Sequence, residues 1–91
     1  MDVLSWNCCG MGMGPKVSAL KDLIFKSRPS ILFLCETKID NIDDFRRLAK
    51  TLNDLSFSHS EEVLSEGRSG GLGLFWGDGV KVRVHSKSAR F

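Results

Sequence analysis

Long apolar runs are missing from this sequence. The longest, Ile31–Cys35, has five residues, far short of the ~20 that a membrane-spanning helix needs. No secretory leader is expected either, since Asp2 and an early Trp6-Asn7 stand where basic residues and then a long apolar core would be required. The expectation is therefore an unsecreted, intracellular chain, a nuclear location included, without a membrane partner. Cysteine is scarce. Three residues, with Cys8 and Cys9 adjacent and Cys35 distant, make neither a disulfide framework nor a zinc-ligand pattern, which favours a reducing compartment. Only two histidines occur, His59 and His85, each alone on a strand-like segment where a solvated or core-edge role is the common one. No internal repeat and no low-complexity linker is present. A formal net charge of +2 permits a polyanionic partner without pointing to one. The 91 residues suit one small domain and are too few for two.

What the sequence does contain is a run of βα signals. Residues 2–7 are strand-like through Val3, Leu4 and Trp6. Glycines 10, 12 and 14 follow in a loop, and Pro15 opens a helix, since a missing N–H is harmless in the first turn. Val17, Leu20, Leu23 and Ile24 recur at helical spacing until Pro29 ends the run. Next come Ile31, Leu32, Phe33, Leu34 and Cys35, read as a strand buried on both faces, ending abruptly in Glu36, Thr37 and Lys38. A helix-sized crossover between two strands of one sheet predicts parallel pairing, which puts Asn7 and Glu36 at the same sheet edge. A second helix is capped by Asp40 or Asn41, with Asp43 and Asp44 in its first turn. Ile42, Phe45, Leu48 and Leu52 form its stripe, and Asp43 and Arg47 form an i,i+4 pair. Residues 55–60 read as a strand with one wet face, and residues 65–71 as a turn. Residues 72–76 read as a buried strand, and Gly77-Asp78-Gly79 as a hairpin turn into a strand over 80–85.

Two features bear on chemistry. The glycine loop lies between a strand and a helix, as a dinucleotide-binding unit requires. The spacing fails, however, because Pro15 stands at the third glycine position and Ser5 and Asn7 interrupt the first strand; a loop without a ligand is the better reading. Cys8 and Cys9 read as packing or incidental residues rather than nucleophiles, since no activating group is near in sequence. Asn7 and Glu36 are different. A carboxylate at a sheet edge can ligate Mg²⁺, which takes oxygen ligands and bridges to phosphate while keeping waters. A neutral amide beside it can bond a phosphate oxygen without repelling it. Together they make half of a metal-assisted phosphodiesterase site, although a cap or a salt bridge explains Glu36 equally well on spacing alone.

Three blocks carry a resemblance: Trp6-Asn7-Cys8-Cys9-Gly10, then Leu32-Phe33-Leu34-Cys35-Glu36-Thr37-Lys38, then Gly70-Gly71-Leu72-Gly73-Leu74-Phe75-Trp76. In this order and spacing the chain resembles the opening of the endonuclease/exonuclease/phosphatase family, specifically the endonuclease domain of plant LINE-type (non-LTR) retrotransposons. The resemblance implies an α/β sandwich of two facing sheets with helices outside, and Mg²⁺-dependent hydrolysis of phosphodiesters, in these elements nicking of DNA. It makes Glu36 the metal ligand and Asn7 the catalytic amide beside the scissile phosphate. Lys38 and Arg68 become candidate nucleic-acid contacts.

The chain also departs from the family. Cys9 stands where the plant elements usually have arginine. The family's histidine general base, the aspartate that orients it and further Asp/Asn residues all belong to segments after these blocks, and neither His59 nor His85 matches a catalytic position. Residues 1–91 are accordingly expected to be a single incomplete domain, the N-terminal portion of the two-sheet fold: a βαβ start followed by hairpin strands. Leu72, Leu74, Phe75 and Trp76 are expected to lack a full packing partner, and the polypeptide alone to lack useful nuclease activity. The alternative is a non-enzymatic nucleic-acid-binding or interaction remnant that uses Lys81, Arg83, Lys87 and Arg90 as a basic edge.

Overall fold

The computed structural model describes residues 2–11, 14–66 and 70–83. The chain runs β1 (Val3–Asn7), α1 (Pro15–Ser27), β2 (Ile31–Cys35), α2 (Ile42–Asn53), β3 (His59–Val63) and β4 (Leu72–Trp76). The strands form one sheet in the order β1-β2-β4-β3. β1 and β2 are parallel, while β4 pairs antiparallel with both β2 and β3. The fold is thus α/β, with a mixed sheet. No helix among the described residues is long and apolar enough to cross a membrane.

Local chemistry accounts for the helix ends. Pro15 starts α1; Arg28, in the left-handed conformation (φ 48°), ends it by donating its N–H to Ile24 O at 2.8 Å, and Pro29 prevents continuation. At the start of α2, Asn41 Oδ1 accepts the Asp44 N–H at 2.9 Å, and Asp43 and Asp44 lie against the positive end of the helix dipole. The ion pair in this helix is Asp44–Arg47 at 3.5 Å, one residue closer than the Asp43–Arg47 spacing expected from sequence. Asn41 holds Asp44 in place, accepting its N–H and donating from Nδ2 to its Oδ2 at 2.9 Å, while the Asp44 Oδ1 faces Arg47.

Both helices pack on one face of the sheet. Leu20 and Ile24 of α1, and Phe45, Leu48 and Leu52 of α2, share a core with Leu32, Leu34 and Phe75 of the sheet and with Cys8, Ile39 and Phe57. Phe75 is fully buried and stacks on Phe45 with ring centroids 5.4 Å apart, so it has the partner that sequence denied it. Gly73 makes room for that stack: a Cβ there would come within 2.7 Å of the Phe75 ring.

The opposite face differs. Pairing aligns Val3, Ile31, Trp76 and His59 in one row, Ser5, Phe33, Leu74 and Glu61 in the next, and Asn7, Cys35, Leu72 and Val63 in the third. In β2 and β4 these positions are only half-buried. Burial of β2 on both faces, as expected from its unbroken apolar run, is therefore not observed: Leu32 and Leu34 are enclosed, whereas Ile31, Phe33 and Cys35 are not.

Two strand assignments are corrected as well. The strand expected at 55–60 begins only at His59, because Leu55 and Phe57 both donate to Leu52 O, which continues the end of α2 as a turn and carries Phe57 into the core. Among the described residues of the segment 80–85, none is in a strand. A hairpin partner next to β4 has no place to pair, since β2 and β3 occupy both of its edges. Only the turn itself is seen, closed by Val80 N–H to Gly77 O at 3.2 Å.

Candidate functional site

Parallel pairing aligns Asn7 with Cys35, so β1 and β2 end at the same rim and Glu36 is the first residue beyond it. The pairing then continues into the loops. Cys8 N–H donates to Cys35 O at 3.1 Å, Gly10 N–H to Glu36 O at 2.7 Å, and Met11 N–H to Thr37 O at 2.7 Å. These donors are the ones a phosphate-cradling glycine loop would need. They are spent on Cys35, Glu36 and Thr37 of the adjacent strand end and so are closed to a phosphate, while Gly12 and Met13 lie outside the described residues.

Asn7 is exposed, and its side chain is oriented. Its Oδ1 accepts from Cys9 N–H at 3.2 Å and from the Cys9 thiol at 3.4 Å, the geometry of an Asx turn. With the oxygen engaged, the amide nitrogen is the end left without a partner among the described residues. Cys8 behaves as expected: its thiol is buried in the core, donates to Cys35 O at 3.1 Å, and has its pKa pushed up by burial. A thiol so placed is inert. All three cysteines are free.

Glu36 and Lys38 each adopt φ 57°, in the left-handed region. Such conformations cost a non-glycine residue on the order of 1 kcal/mol and persist only where surrounding contacts enforce them. Here the contacts come from two sides: the Gly10 and Met11 amides from the β1 loop, and, from the start of β4, Gly71 O and Gly70 O, which accept Thr37 N–H at 3.2 Å and Lys38 N–H at 2.9 Å. Thr37, between the two strained residues, is 2% exposed. Glu36 is half-buried, and its carboxylate has no hydrogen-bond or ionic partner among the described residues. Lys38 is exposed, and its stem lies over Gly10, where an added Cβ would sit 3.4 Å from its Cδ. Lys38 therefore belongs to the same rim. Arg68 lies outside the described residues, as do His85, Lys87 and Arg90, whereas Lys81 and Arg83 are exposed.

Among the described residues no group of three or more His, Cys, Asp or Glu side chains converges as a metal cage. The rim instead carries one carboxylate, Glu36, unpaired among the described residues, and one neutral amide, Asn7, at the ends of adjacent strands. That set suits Mg²⁺ better than a soft metal, since Mg²⁺ is commonly held by one or two carboxylates while waters and a phosphate complete its shell. The remaining polar features lie elsewhere. A cavity of about 770 Å³ between the helices is lined by Met11, Val17, Ile39, Leu48 and Arg47, and touches the rim only through Lys38 and its neighbours. His59 bonds Asp78 at 2.7 Å and stacks on Trp76, in the row farthest from Asn7.

Sequence reasoning brought Asn7, Glu36 and Lys38 to one rim but assigned no role to Thr37 or Gly71. The only sequence signal for them was a small polar residue directly after the acid and a Gly-Gly pair before a strand. No family model matches the chain, and no curated protein matches it.

Proposed function

We propose that this chain is the metal-binding, N-terminal part of a Mg²⁺-dependent DNA endonuclease of the endonuclease/exonuclease/phosphatase kind, related to the plant LINE-type elements. The observation that supports the reading is the placement of Asn7 and Glu36 at the shared end of two parallel strands, with the Glu36 carboxylate unpaired among the described residues. In this account Glu36 supplies the protein oxygen that holds Mg²⁺. The ion, when bound, contributes Lewis-acid polarisation of a phosphodiester. Asn7 presents its amide N–H groups to a phosphate oxygen, the Cys9 contacts keeping its oxygen turned away. Lys38, whose stem lies along Gly10, adds a cation at the backbone of the nucleic acid without reading sequence. With DNA as substrate, the site of action is the nucleus.

Proton removal from the attacking water is the function for which the described residues offer no candidate at the rim. His59 is committed to Asp78 at the other end of the sheet. Lack of a general base costs roughly 10²–10⁴ in rate, so the 91-residue polypeptide is expected to bind DNA without nicking it. The test is DNA binding and plasmid nicking with Mg²⁺ or with EDTA, for the wild type and Glu36→Gln. We expect no nicking, and a Mg²⁺-dependent increment of binding that Glu36→Gln abolishes. Binding that ignores both Mg²⁺ and Glu36→Gln, and falls only with salt, would instead establish a charge-driven remnant acting through residues such as Lys81 and Arg83.

A further inference from the structure

We infer that Thr37 and Gly71 form a latch that fixes the direction of Glu36, with Thr37 as the positioning residue of the rim. The functional half of this inference rests on the metal-binding reading of Glu36; the geometric half needs no metal. A glutamate has no intrinsic reason to stay at φ 57°, and no side-chain bond among the described residues holds Glu36 there. Its direction must come from its neighbours.

Thr37 is where those neighbours meet. Its backbone is tied on both sides, through Met11 N–H to its carbonyl at 2.7 Å and through its own N–H to Gly71 O at 3.2 Å. Its buried hydroxyl accepts the Ile39 N–H at 3.4 Å. The side chain fills a hole that exists only because position 71 is glycine. A Cβ built on Gly71 would lie on Thr37 Oγ1, 3.1 Å from Lys38 N and 3.4 Å from Ser65 Cβ. Gly71 itself has φ 91°, which a larger residue resists. Any side chain at 71 therefore pushes on Thr37, and through it on the two left-handed residues at either side. Glu36 and Lys38 are thus set together by one peg. Pre-orientation of this kind lets a single carboxylate bind an ion without rearranging, the role that supporting contacts play around metal ligands.

The test uses the 91-residue chain and two readouts. One is the strong intraresidue HN–Hα nuclear Overhauser peak that a left-handed Glu36 gives without metal; the other is Mn²⁺ affinity from line broadening. Gly71→Ala is expected to weaken the Glu36 peak and lower Mn²⁺ affinity by on the order of tenfold. Thr37→Val should do so less, and Thr37→Ser should match the wild type. Thr37→Ala/Gly71→Ala, which removes the obstructing hydroxyl, should recover part of what Gly71→Ala loses, a non-additivity that general destabilisation does not produce. If Gly71→Ala does not fold, the Thr37→Ser and Thr37→Val pair decides the matter. An unchanged Glu36 peak in Gly71→Ala and Thr37→Val, or strictly additive losses, would overturn the latch. A peak that responds as expected in a chain that binds no Mn²⁺ would uphold the latch and sink the metal reading alone.

Discussion

Ser65, beside Gly71, and Asp78, bonded to His59 of β3, show how much a single polar side chain costs or contributes. The Ser65 hydroxyl is buried and finds no partner among the described residues, whereas its backbone N–H donates to Ile39 O at 2.7 Å. An unsatisfied buried hydroxyl costs about 1–3 kcal/mol. Ser65→Ala is therefore expected to be neutral or to stabilise by up to ~1 kcal/mol in urea denaturation; a clear loss of stability would mean that the hydroxyl has a partner. Asp78 makes the opposite case. Hydrogen bonds from His59 and then Ser58 lower the pKa of its carboxyl group. A depressed folded-state pKa stabilises the fold at pH values above the unfolded carboxylate value of ~3.9, and this contribution disappears as pH falls through the folded value. Asp78→Asn should accordingly flatten the fall in stability between about pH 5 and pH 3. Identical pH profiles for the wild type and Asp78→Asn would contradict it.

At the scale of elements, the two helices owe their positions to local chemistry and their stability to one face. Asn41→Ala removes the cap of α2 and is expected to cost about 1 kcal/mol, whereas Phe45→Ala, which also deprives Phe75 of its stacking partner, should cost about 3–5 kcal/mol. Thermal denaturation of the two variants checks this ranking. Helix boundaries were legible because prolines 15 and 29 and the Asn41-Asp43-Asp44 group act within a turn of where they stand. β2 and β4 were legible from their apolar runs, and β1 from Val3, Leu4 and Trp6. β3 was misplaced because Leu55 and Phe57 alternate with serines like a strand, while their amides are captured by Leu52 O. The hairpin after β4 was misjudged for a reason no local pattern contains: whether β4 has a free edge depends on strand order, and β2 and β3 take both.

At the scale of the whole molecule, the described residues form two layers, helices over one sheet face, with the other face half-covered at Ile31, Phe33, Leu72, Leu74 and Trp76. The rim lies at one end of that sheet. Its main juxtaposition was legible because a helix-sized crossover dictates parallel strands, which carried Asn7 to the end where Glu36 begins. The left-handed turn at Glu36, the peg of Thr37 and the hole at Gly71 were not, since they arise where distant segments meet and leave no periodicity. The central claim, that Glu36 with Asn7 beside it holds a divalent cation at this rim, is tested most directly by titrating the isotope-labelled 91-residue chain with Mn²⁺ and mapping paramagnetic broadening residue by residue. The account predicts broadening centred on Glu36, Asn7 and Thr37, reversed by excess Mg²⁺ and lost in Glu36→Gln. Broadening centred elsewhere, or unchanged in Glu36→Gln, would contradict it.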